Sequence, residues 1–327
     1  MKVLVIRFSS IGDIVLTSPI IRCIKQQLPD VELHFATKKA FAGIIEQNPY
    51  IDKAHYLGDS LSELTKSLKN EGFDYIIDLH KNVRTLKIKA AITGKAFTFD
   101  KLNWKKWLVV NTSINALPDR HIVDRYFEAV KPLNVENDHK GIDFFIPPNA
   151  EIDVAEEFGT DRYIGVAIGA KFGTKQIPTA TIVDLLKPLN ETIVLLGGPE
   201  DKEKGEAIRF AMQGHTVYNT CGVYSLASSA SIVAQSTVLV TGDTGLMHIA
   251  AAFSTPIISI WGNTIPGFGM YPYRPQSPNS YTIHEVENLK CRPCSKIGFE
   301  KCPKKHFDCM NKQNLAEIRN SIVGYME

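Results

Sequence analysis

The stretch STVLVTGDTGLMHIAAAFSTPIISIWG, residues 236–262, contains the unit from which the fold follows. Two short β-branched runs, TVLV and PIISIWG, flank a segment whose apolar residues recur at helical spacing. A strand, a helix and a second strand in this order predict a parallel βαβ unit. Small and polar residues, TGDTG, stand where the first strand ends, and ligands bind beyond such strand ends in parallel sheets.

The same alternation fills the rest of the chain. Further strands are predicted at KVLVIRF, VELHFAT, KAHYL, FDYIIDLH, AFTFD, YIGVAIG, ETIVLLGG and TVYNTCG, with helical patterns between them and a local restart at Ser18-Pro19. The Pro-Pro pair in FFIPPNAEID, residues 144–153, interrupts the pattern. We therefore predict two doubly wound, Rossmann-like α/β domains, residues 1–148 and 149–327, which face each other across a cleft.

Composition narrows the class of protein. The chain has 327 residues, of which 44% are hydrophobic and 22% charged, with a net charge of +2. This balance is typical of a globular domain and does not point to a nucleic-acid partner. The apolar runs are too short for a membrane span, and the N-terminus lacks the long apolar core of a signal peptide. We expect a cytoplasmic protein.

The TGDTG turn supplies candidate ligand contacts. Asp243 and Thr244 are good N-cap residues, and Gly245 allows close backbone approach. The free N–H groups of a helix start favour an anion such as phosphate, and His248 lies one turn further on. Taken alone, the same residues fit an ordinary capped helix with a core histidine.

A second strand–loop–helix junction lies near the N-terminus, in RFSSIGDIVLTSP. Ser9, Ser10, Gly12 and Asp13 occupy its turn. The dinucleotide fingerprint G-x-G-x-x-G is absent, which argues against a dehydrogenase. A carboxylate at this position suits a general base that accepts a proton from a substrate hydroxyl. The alternative is that Asp13 only caps the helix.

Two loops of the second domain complete the candidate binding residues. GAKFGTKQIP, residues 169–178, carries Lys171 and Lys175, which can neutralise a diphosphate, or which are solvated side chains of a mobile loop. LLGGPEDKEKGE places Gly198 and Glu200 after a strand, where a carboxylate can accept hydrogen bonds from ribose hydroxyls, or where a turn simply leads into a helix.

Four of the six cysteines crowd into CRPCSKIGFEKCPKKHFDC. They are Cys291, Cys294, Cys302 and Cys309, in the pattern C-x2-C-x7-C-x6-C. Such spacing indicates a structural zinc site, and free thiols are the equal alternative in a reducing compartment. The lysines around the cluster are suited to a membrane surface or an anionic acceptor; they are Lys296, Lys301, Lys304 and Lys305.

Together these segments resemble glycosyltransferase family 9, the ADP-heptose:lipopolysaccharide heptosyltransferases. The N-terminal block RFSSIGD resembles the family's R-x-S-x-G-D segment, with one residue more between Ser9 and Gly12. TGDTGLMHIAAAFSTPIISIWGNT matches D-T-G-x-x-H-x-A-A followed by a Pro-initiated strand and G-x-T. DLHKNVRTLKIKAAITG and GAKFGTKQIP are similar to two further family segments. The resemblance covers nearly the whole chain.

The resemblance implies a GT-B fold and an inverting transfer that needs no cofactor for catalysis. It implies that the first domain binds a lipid-linked or lipopolysaccharide core acceptor and the second an ADP-sugar, at the inner face of the cytoplasmic membrane. By the same likeness Asp13 is the base and Lys175 binds the diphosphate. The phosphate and sugar are held by Asp243, Thr244 and Gly245 with the helix that they cap, and His248 packs beside this site or hydrogen-bonds to it. The basic Lys81 and Arg84 suit an anionic acceptor.

Two departures affect the donor side. Ile177 stands where the family's K-x-W-P motif has tryptophan, and Gln176 stands where a basic residue is usual. The nucleotide base and the sugar are therefore open, and so is any need for Mg²⁺. A GT-B transferase of another nucleotide-sugar and a non-catalytic nucleotide-sugar-binding protein remain the alternatives.

Overall fold

All predicted strands form in the computed structural model, which describes residues Met1–Glu327. The strands are β1 (Lys2–Ile6), β2 (Glu32–Lys38), β3 (Lys53–Leu57), β4 (Tyr75–Asp78), β5 (Lys95–Thr98), β6 (Ile164–Ala167), β7 (Ile193–Leu196), β8 (Val217–Asn219), β9 (Val238–Thr241), β10 (Ile257–Trp261) and β11 (Tyr281–Glu285). They pair in parallel into two sheets, ordered β3-β2-β1-β4-β5 and β11-β10-β9-β6-β7-β8.

The helices alternate with the strands along the chain. They are α1 (Ile11–Val15), α2 (Ser18–Gln27), α3 (Ala42–Ile45), α4 (Leu61–Lys69), α5 (Val83–Ala91), α6 (Asn103–Thr112), α7 (Ile122–Phe127), α8 (Val154–Phe158), α9 (Thr179–Leu186), α10 (Lys202–Ala211), α11 (Leu226–Gln235), α12 (Gly245–Ala250), α13 (Asp308–Asn311) and α14 (Leu315–Met326). None of them combines the length and apolar composition that crossing a bilayer requires.

The strand orders show where each sheet changes direction. In the first sheet the chain moves outward from β1 to β3 and then returns to start again at β4 on the other side of β1. In the second sheet the corresponding central pair is β6 and β9. Loops that leave the carboxyl ends of such a pair diverge and leave a crevice, which is where open α/β sheets bind ligands. Each sheet therefore has one favoured binding position.

The chain divides into two units. Unit 1 comprises Met1–Leu102 and Arg120–Phe145, and unit 2 comprises Asn103–Asp119 and Ile146–Glu327. The division after Phe145 lies close to the Pro-Pro pair, but a single boundary was expected, and residues 103–119 instead belong to unit 2. The reason is local packing: Lys106 lies over the Phe268 ring at 5.5 Å, and Lys296 donates a hydrogen bond to Asn103 Oδ1 at 3.5 Å.

The predicted restart at Ser18-Pro19 is confirmed as a break between α1 and α2. Pro19 occupies the first turn of α2, where its missing N–H leaves no hydrogen bond unmade. The buried face of α2 includes Ile20, Ile21 and Ile24, all at most 1% exposed. The short α1 therefore stands at the carboxyl edge of the sheet, separate from the longer helix behind it.

Two buried histidines lie side by side on β2 and β3. His34 Nδ1 and His55 Nε2 are 2.9 Å apart, and the other nitrogen of His34 lies 2.7 Å from Glu32 Oε1. If His34 donates to Glu32, its Nδ1 is the acceptor and His55 the donor. Burial, and next the neighbouring His34, lower the pKa of His55 to about 4. The folded protein thus holds His55 neutral at pH values where the unfolded chain protonates it.

We expect the free energy of unfolding to fall as the pH drops from about 6.5 to about 4. In that window the unfolded chain binds a proton at His55 that the folded protein excludes, and a shift of this size corresponds to about 3 kcal/mol. Urea unfolding at pH 7 and pH 4.5 measures the effect in the wild type and in His55→Gln. Between pH 7 and pH 4.5 the free energy of unfolding should fall by about 2 kcal/mol less in the variant than in the wild type. An equal fall in both proteins would show that His55 is not the group responsible.

Candidate functional site

The N-terminal candidate, Asp13, is held by an arginine from the end of β1. Arg7 Nη2 lies 2.5 Å from Asp13 Oδ1, and Asp13 Oδ2 accepts hydrogen bonds from the Ser10 N–H and the Ser10 hydroxyl. Burial alone raises the pKa of Asp13, but Arg7 and Ser10 outweigh it and bring the pKa to about 2. Asp13 is therefore an ionised, oriented carboxylate that still exposes 22% of its side chain.

The end of β4 lies beside the end of β1, because Ile6 pairs with Asp78. Asp78 is fully buried, forms an ion pair with Lys89 at 2.7 Å and accepts from the backbone N–H groups of the next turn. His80 packs edge-on against Phe8, and burial, followed by the charge of Arg7, lowers its pKa to about 4. A neutral imidazole thus lies at the switch point of the first sheet.

The predicted acceptor residues sit in the turns around these groups. Ser9 accepts a hydrogen bond from Arg7 Nε through its carbonyl oxygen, and Gly12 is buried within α1. Lys81 adopts a positive φ of 47° before α5, and its ammonium group lies 3.4 Å from Asp100. Arg84 is exposed in the first turn of α5. Lys81, just before α5, and Arg84, in its first turn, therefore present positive charge to solvent after β4.

In unit 2 the structure joins two predicted residues that lie 68 positions apart. Lys175 Nζ is 2.6 Å from Asp243 Oδ2, and the same oxygen accepts a hydrogen bond from the Thr264 hydroxyl at 2.9 Å. Lys175 follows β6 and Asp243 follows β9, so the pair bridges the switch point of the second sheet. Asp243 is 8% exposed and the Lys175 side chain 19% exposed, so the pair is largely but not completely buried.

The helix after Asp243 is capped as predicted but is short. The Thr244 hydroxyl accepts a hydrogen bond from the Met247 N–H, and α12 spans six residues from Gly245. His248 is buried, at 2% exposure. A Cβ at Gly242 would collide with the backbone oxygen of Lys175, so a glycine is required for the two loops to approach. Because α12 is short, we expect its N-terminus to contribute little positive charge. Lys175 is then the main positive charge beside Asp243.

The Cys-rich segment braces both loops of this site. Thr174, next to Lys175, exchanges three hydrogen bonds with the backbone of Phe299, at 2.8–3.0 Å. Arg292 donates to the carbonyl oxygens of Gly262 and Thr264 at 2.6 and 2.8 Å and pairs with Glu285 at 2.5 Å. Residues 291–309 therefore hold the positions from which Lys175 and Thr264 meet Asp243.

The four clustered cysteines form no disulfide bonds, and their thiols influence one another's ionisation. Burial, and next Cys294, raises the pKa of Cys309 to about 12. Burial, followed by Cys291 and Cys302, raises the pKa of Cys294. Cys291 Sγ is also 3.8 Å from His306 Nε2. Four thiols with a nearby imidazole have the donor chemistry of a tetrahedral metal site. Their sulfur atoms are not gathered to ligand spacing in this structure, whereas the ligand atoms of His34, His55 and Glu71 lie within 4.8 Å of one another.

The remaining predicted donor contacts lie on the loops after β6 and β7. Lys171 is exposed, with its ammonium group 5.5 Å from the centre of the Phe172 ring. Gly198 donates its N–H to Asp201 Oδ2, which fixes the turn, and Glu200 is exposed on it. Ile177 is 1% exposed in the core of unit 2, so its aliphatic side chain packs inward.

Some residues that shape these sites were not selected from the sequence. Arg7 lies within the quoted N-terminal block, six residues before Asp13, and this spacing was the available signal in the sequence. The structure shows that the arginine is buried. Thr264 is the threonine of the quoted G-x-T pattern. The role of its hydroxyl becomes clear only from the hydrogen bond that it donates to Asp243 in the structure. Nothing in the sequence pattern indicated that Arg292 would reach back to the loop after β10.

A sequence profile described as glycosyltransferase family 9 (heptosyltransferase) matches residues 61–302. A lipooligosaccharide heptosyltransferase 2 of Haemophilus influenzae is 26% identical over 332 aligned positions, which cover 91% of this chain and 93% of that protein. The family resemblance of the motifs is thus confirmed.

Solved structures share the fold. A glycosyl transferase family 9 structure from Veillonella parvula superposes with a TM-score of 0.78 at 19% identity, covering 99% of this chain and 97% of its own. The structure of E. coli heptosyltransferase WaaC with ADP superposes with a TM-score of 0.70 at 19% identity, covering 99% and 100%. The predicted fold class, a GT-B type protein with two doubly wound parallel sheets, is confirmed.

Proposed function

Because the chain belongs to glycosyltransferase family 9 and is a glycosyltransferase, we propose that it moves a heptose from ADP-heptose to a lipopolysaccharide core acceptor. The observation that carries the donor assignment is the Lys175–Asp243 pair at the switch point of the second sheet. Support for the sugar and the acceptor comes from the printed function of the Haemophilus influenzae relative, and support for ADP from the ligand of the E. coli structure.

On the donor side, Lys175 provides positive charge for the departing diphosphate. Asp243 holds the ammonium group from one side, and the proposed diphosphate approaches its exposed side. The N–H groups of Gly245 and Leu246, in the first turn of α12, add hydrogen bonds to the phosphate oxygens. Fixed donors that meet developing charge are the largest contribution such a site can make.

On the acceptor side, Asp13 takes up the proton. The acceptor hydroxyl oxygen forms a bond to the anomeric carbon while the bond from that carbon to the diphosphate oxygen breaks. The hydroxyl proton passes to the Asp13 carboxylate, and ADP leaves with the electron pair. A single displacement of this kind inverts the anomeric centre. Lys81 and Arg84 supply positive charge suited to an anionic acceptor. We propose that the reaction takes place in the cytoplasm, at the inner face of the membrane.

A nucleotide-sugar screen tests the donor assignment. Since a ligand that binds only the folded state raises the melting temperature, ADP and ADP-sugars should stabilise the protein, whereas UDP-sugars and NAD should not. Stabilisation by UDP-sugars alone would support a transferase of another nucleotide-sugar. Stabilisation by ADP-sugars without transfer to any core acceptor would support a binding protein and contradict the proposed activity.

We further propose that Cys291, Cys294, Cys302 and Cys309 bind one structural zinc ion. Its role is to hold the segment that carries Phe299 and Arg292, and through them the two loops around Asp243. Thiolate ligands and a tetrahedral geometry favour zinc, although iron shares this donor preference. The ion takes no part in the proposed transfer.

Elemental analysis of the purified protein should find about one metal ion per chain. Cys294→Ser should lower the metal content and weaken ADP binding about tenfold, because the brace on Thr174 loosens (about 1.4 kcal/mol). Cys23→Ser, a buried cysteine of unit 1, is the matched control and should change neither. The free-thiol alternative would be favoured if the purified wild type held no metal and had four titratable thiols in the segment, and if Cys294→Ser bound ADP with unchanged affinity.

A further inference from the structure

Helix α6 exposes two tryptophans on one face. Trp104 and Trp107 are 68% and 48% exposed, and their rings stack with centroids 5.1 Å apart and planes 9° apart. Ile114, 59% exposed, follows just beyond the helix end. Several large apolar side chains exposed close together are uncommon on a protein surface unless the surface binds another molecule or a membrane.

The Cys-rich segment extends this apolar surface. Lys296 Nζ reaches Asn103 Oδ1 at the start of α6, at 3.5 Å. The residue after Lys296 is Ile297, which is 55% exposed, and Phe299 is 39% exposed. We call the side chains of Trp104, Trp107, Ile297 and Phe299 the aromatic patch. All of them belong to unit 2.

Exposed positive charge occurs in the same two chain segments as the aromatic patch. The exposed lysines are Lys105, Lys296, Lys301, Lys304 and Lys305. Glu300 is the exposed acidic residue among them, and Asp308 is already paired with Lys312 at 2.7 Å. Tryptophan rings at the level of lipid headgroups, with lysines reaching the phosphates, are the usual composition of a surface that lies in a membrane interface.

We propose that the aromatic patch docks on an anionic lipid bilayer, with α6 lying in the plane of the interface. The ten residues of α6 span about 15 Å, which suits a helix that lies on a bilayer and is far too short for one that crosses it. The exposed lysines of the two segments favour anionic lipids over a neutral surface. This proposal adds to the proposed function the part of the molecule that would contact the membrane. It rests on the proposed function for the lipid-linked nature of the acceptor.

Vesicle binding with tryptophan fluorescence tests the proposal directly. The chain has three tryptophans and Trp261 is fully buried, so a blue shift on vesicle binding reports on Trp104 and Trp107. The protein should bind vesicles of phosphatidylcholine and phosphatidylglycerol, with binding that weakens as salt rises. It should bind pure phosphatidylcholine at least tenfold less. Failure of the wild type to bind either kind of vesicle would overturn the proposal.

Variants separate this surface from the active site. Trp104→Ser with Trp107→Ser should weaken binding to anionic vesicles at least tenfold. Phe210→Ser, which removes a 74% exposed side chain from α10, is the matched control and should bind like the wild type. Equal vesicle binding by the double variant and the wild type would overturn the proposal, as would a dimer in solution that the double variant converts to monomers.

The donor site provides the readout that distinguishes the two proposals. The double variant should keep its stabilisation by ADP and its transfer to a detergent-free, delipidated acceptor, while losing transfer on vesicles. If ADP fails to stabilise even the wild type but vesicle binding still depends on the tryptophans, the proposed function fails and the docking surface stands.

Discussion

Replacing Asp13 by asparagine is expected to lower the rate of glycosyl transfer by about 10²–10⁴-fold, the usual contribution of a general base. Arg7 and Ser10 keep this carboxylate ionised and oriented, with a pKa of about 2. Such a group is always ready to accept a proton, but it is a weak base. In the proposed reaction, proton transfer to Asp13 is therefore expected late, as the acceptor oxygen bonds to the anomeric carbon and becomes acidic. Initial rates at saturating donor and acceptor measure the effect.

The asparagine also leaves Arg7 without its anionic partner, so stability has to be measured alongside activity. Arg7 is 6% exposed, and an unpaired buried charge destabilises the fold. Ser10→Ala is the matched control, because it removes one hydrogen bond to the carboxylate and keeps the charge. We expect Asp13→Asn to bind ADP as the wild type does. Transfer within threefold of wild type in a folded Asp13→Asn protein would remove Asp13 from the role of base.

The sheet architecture could be predicted because its signal is local. Each parallel strand is buried on both faces and appears as a short apolar run. In β6 and β9, for example, Gly165 is buried and every other residue is at most 2% exposed. Strand–helix alternation then restricts the topology to doubly wound sheets. Loop residues at strand ends follow from the same reasoning, so Lys175 and Asp243 were recognisable as candidates.

Features that depend on tertiary contacts were not predicted. The sequence assigned no element to residues 103–112, because the exposed Trp104 and Trp107 hide the helical periodicity of α6. The strand β11 was also missed, since its residues are mostly half-buried at the edge of the sheet. The brace by Phe299 and Arg292 joins segments 125 and about 30 residues apart, and no local pattern encodes such pairings.

The structure also resolves how Asp243 could lie in a site for a diphosphate. Two anions repel each other unless a cation stands between them, and Lys175 pairs directly with Asp243. The Thr264 hydroxyl fixes the same carboxylate oxygen. We therefore propose Asp243 as a positioning residue, which aims the ammonium group of Lys175 rather than contacting the phosphate.

Replacing Lys175 by methionine is expected to lower the transfer rate by about 10²–10³-fold, the usual loss when one charge-stabilising donor is removed. Affinity for ADP should fall with it, because the same ammonium group meets the diphosphate in both states. Lys171→Met is the matched control: its lysine lies on the same loop, is exposed and stacks on Phe172, so its loss should change ADP affinity less than threefold. Calorimetric titration with ADP and initial rates give both numbers.

The single variant also strands a buried carboxylate, which could weaken ADP binding through instability alone. Lys175→Met leaves Asp243 without its cation and should reduce the free energy of unfolding by about 3 kcal/mol. Adding Asp243→Asn removes that charge and should restore most of the stability, while ADP affinity stays low because the lysine is still absent. Recovery of ADP affinity together with stability in the double variant would show that Lys175 only neutralises Asp243 and does not bind the diphosphate.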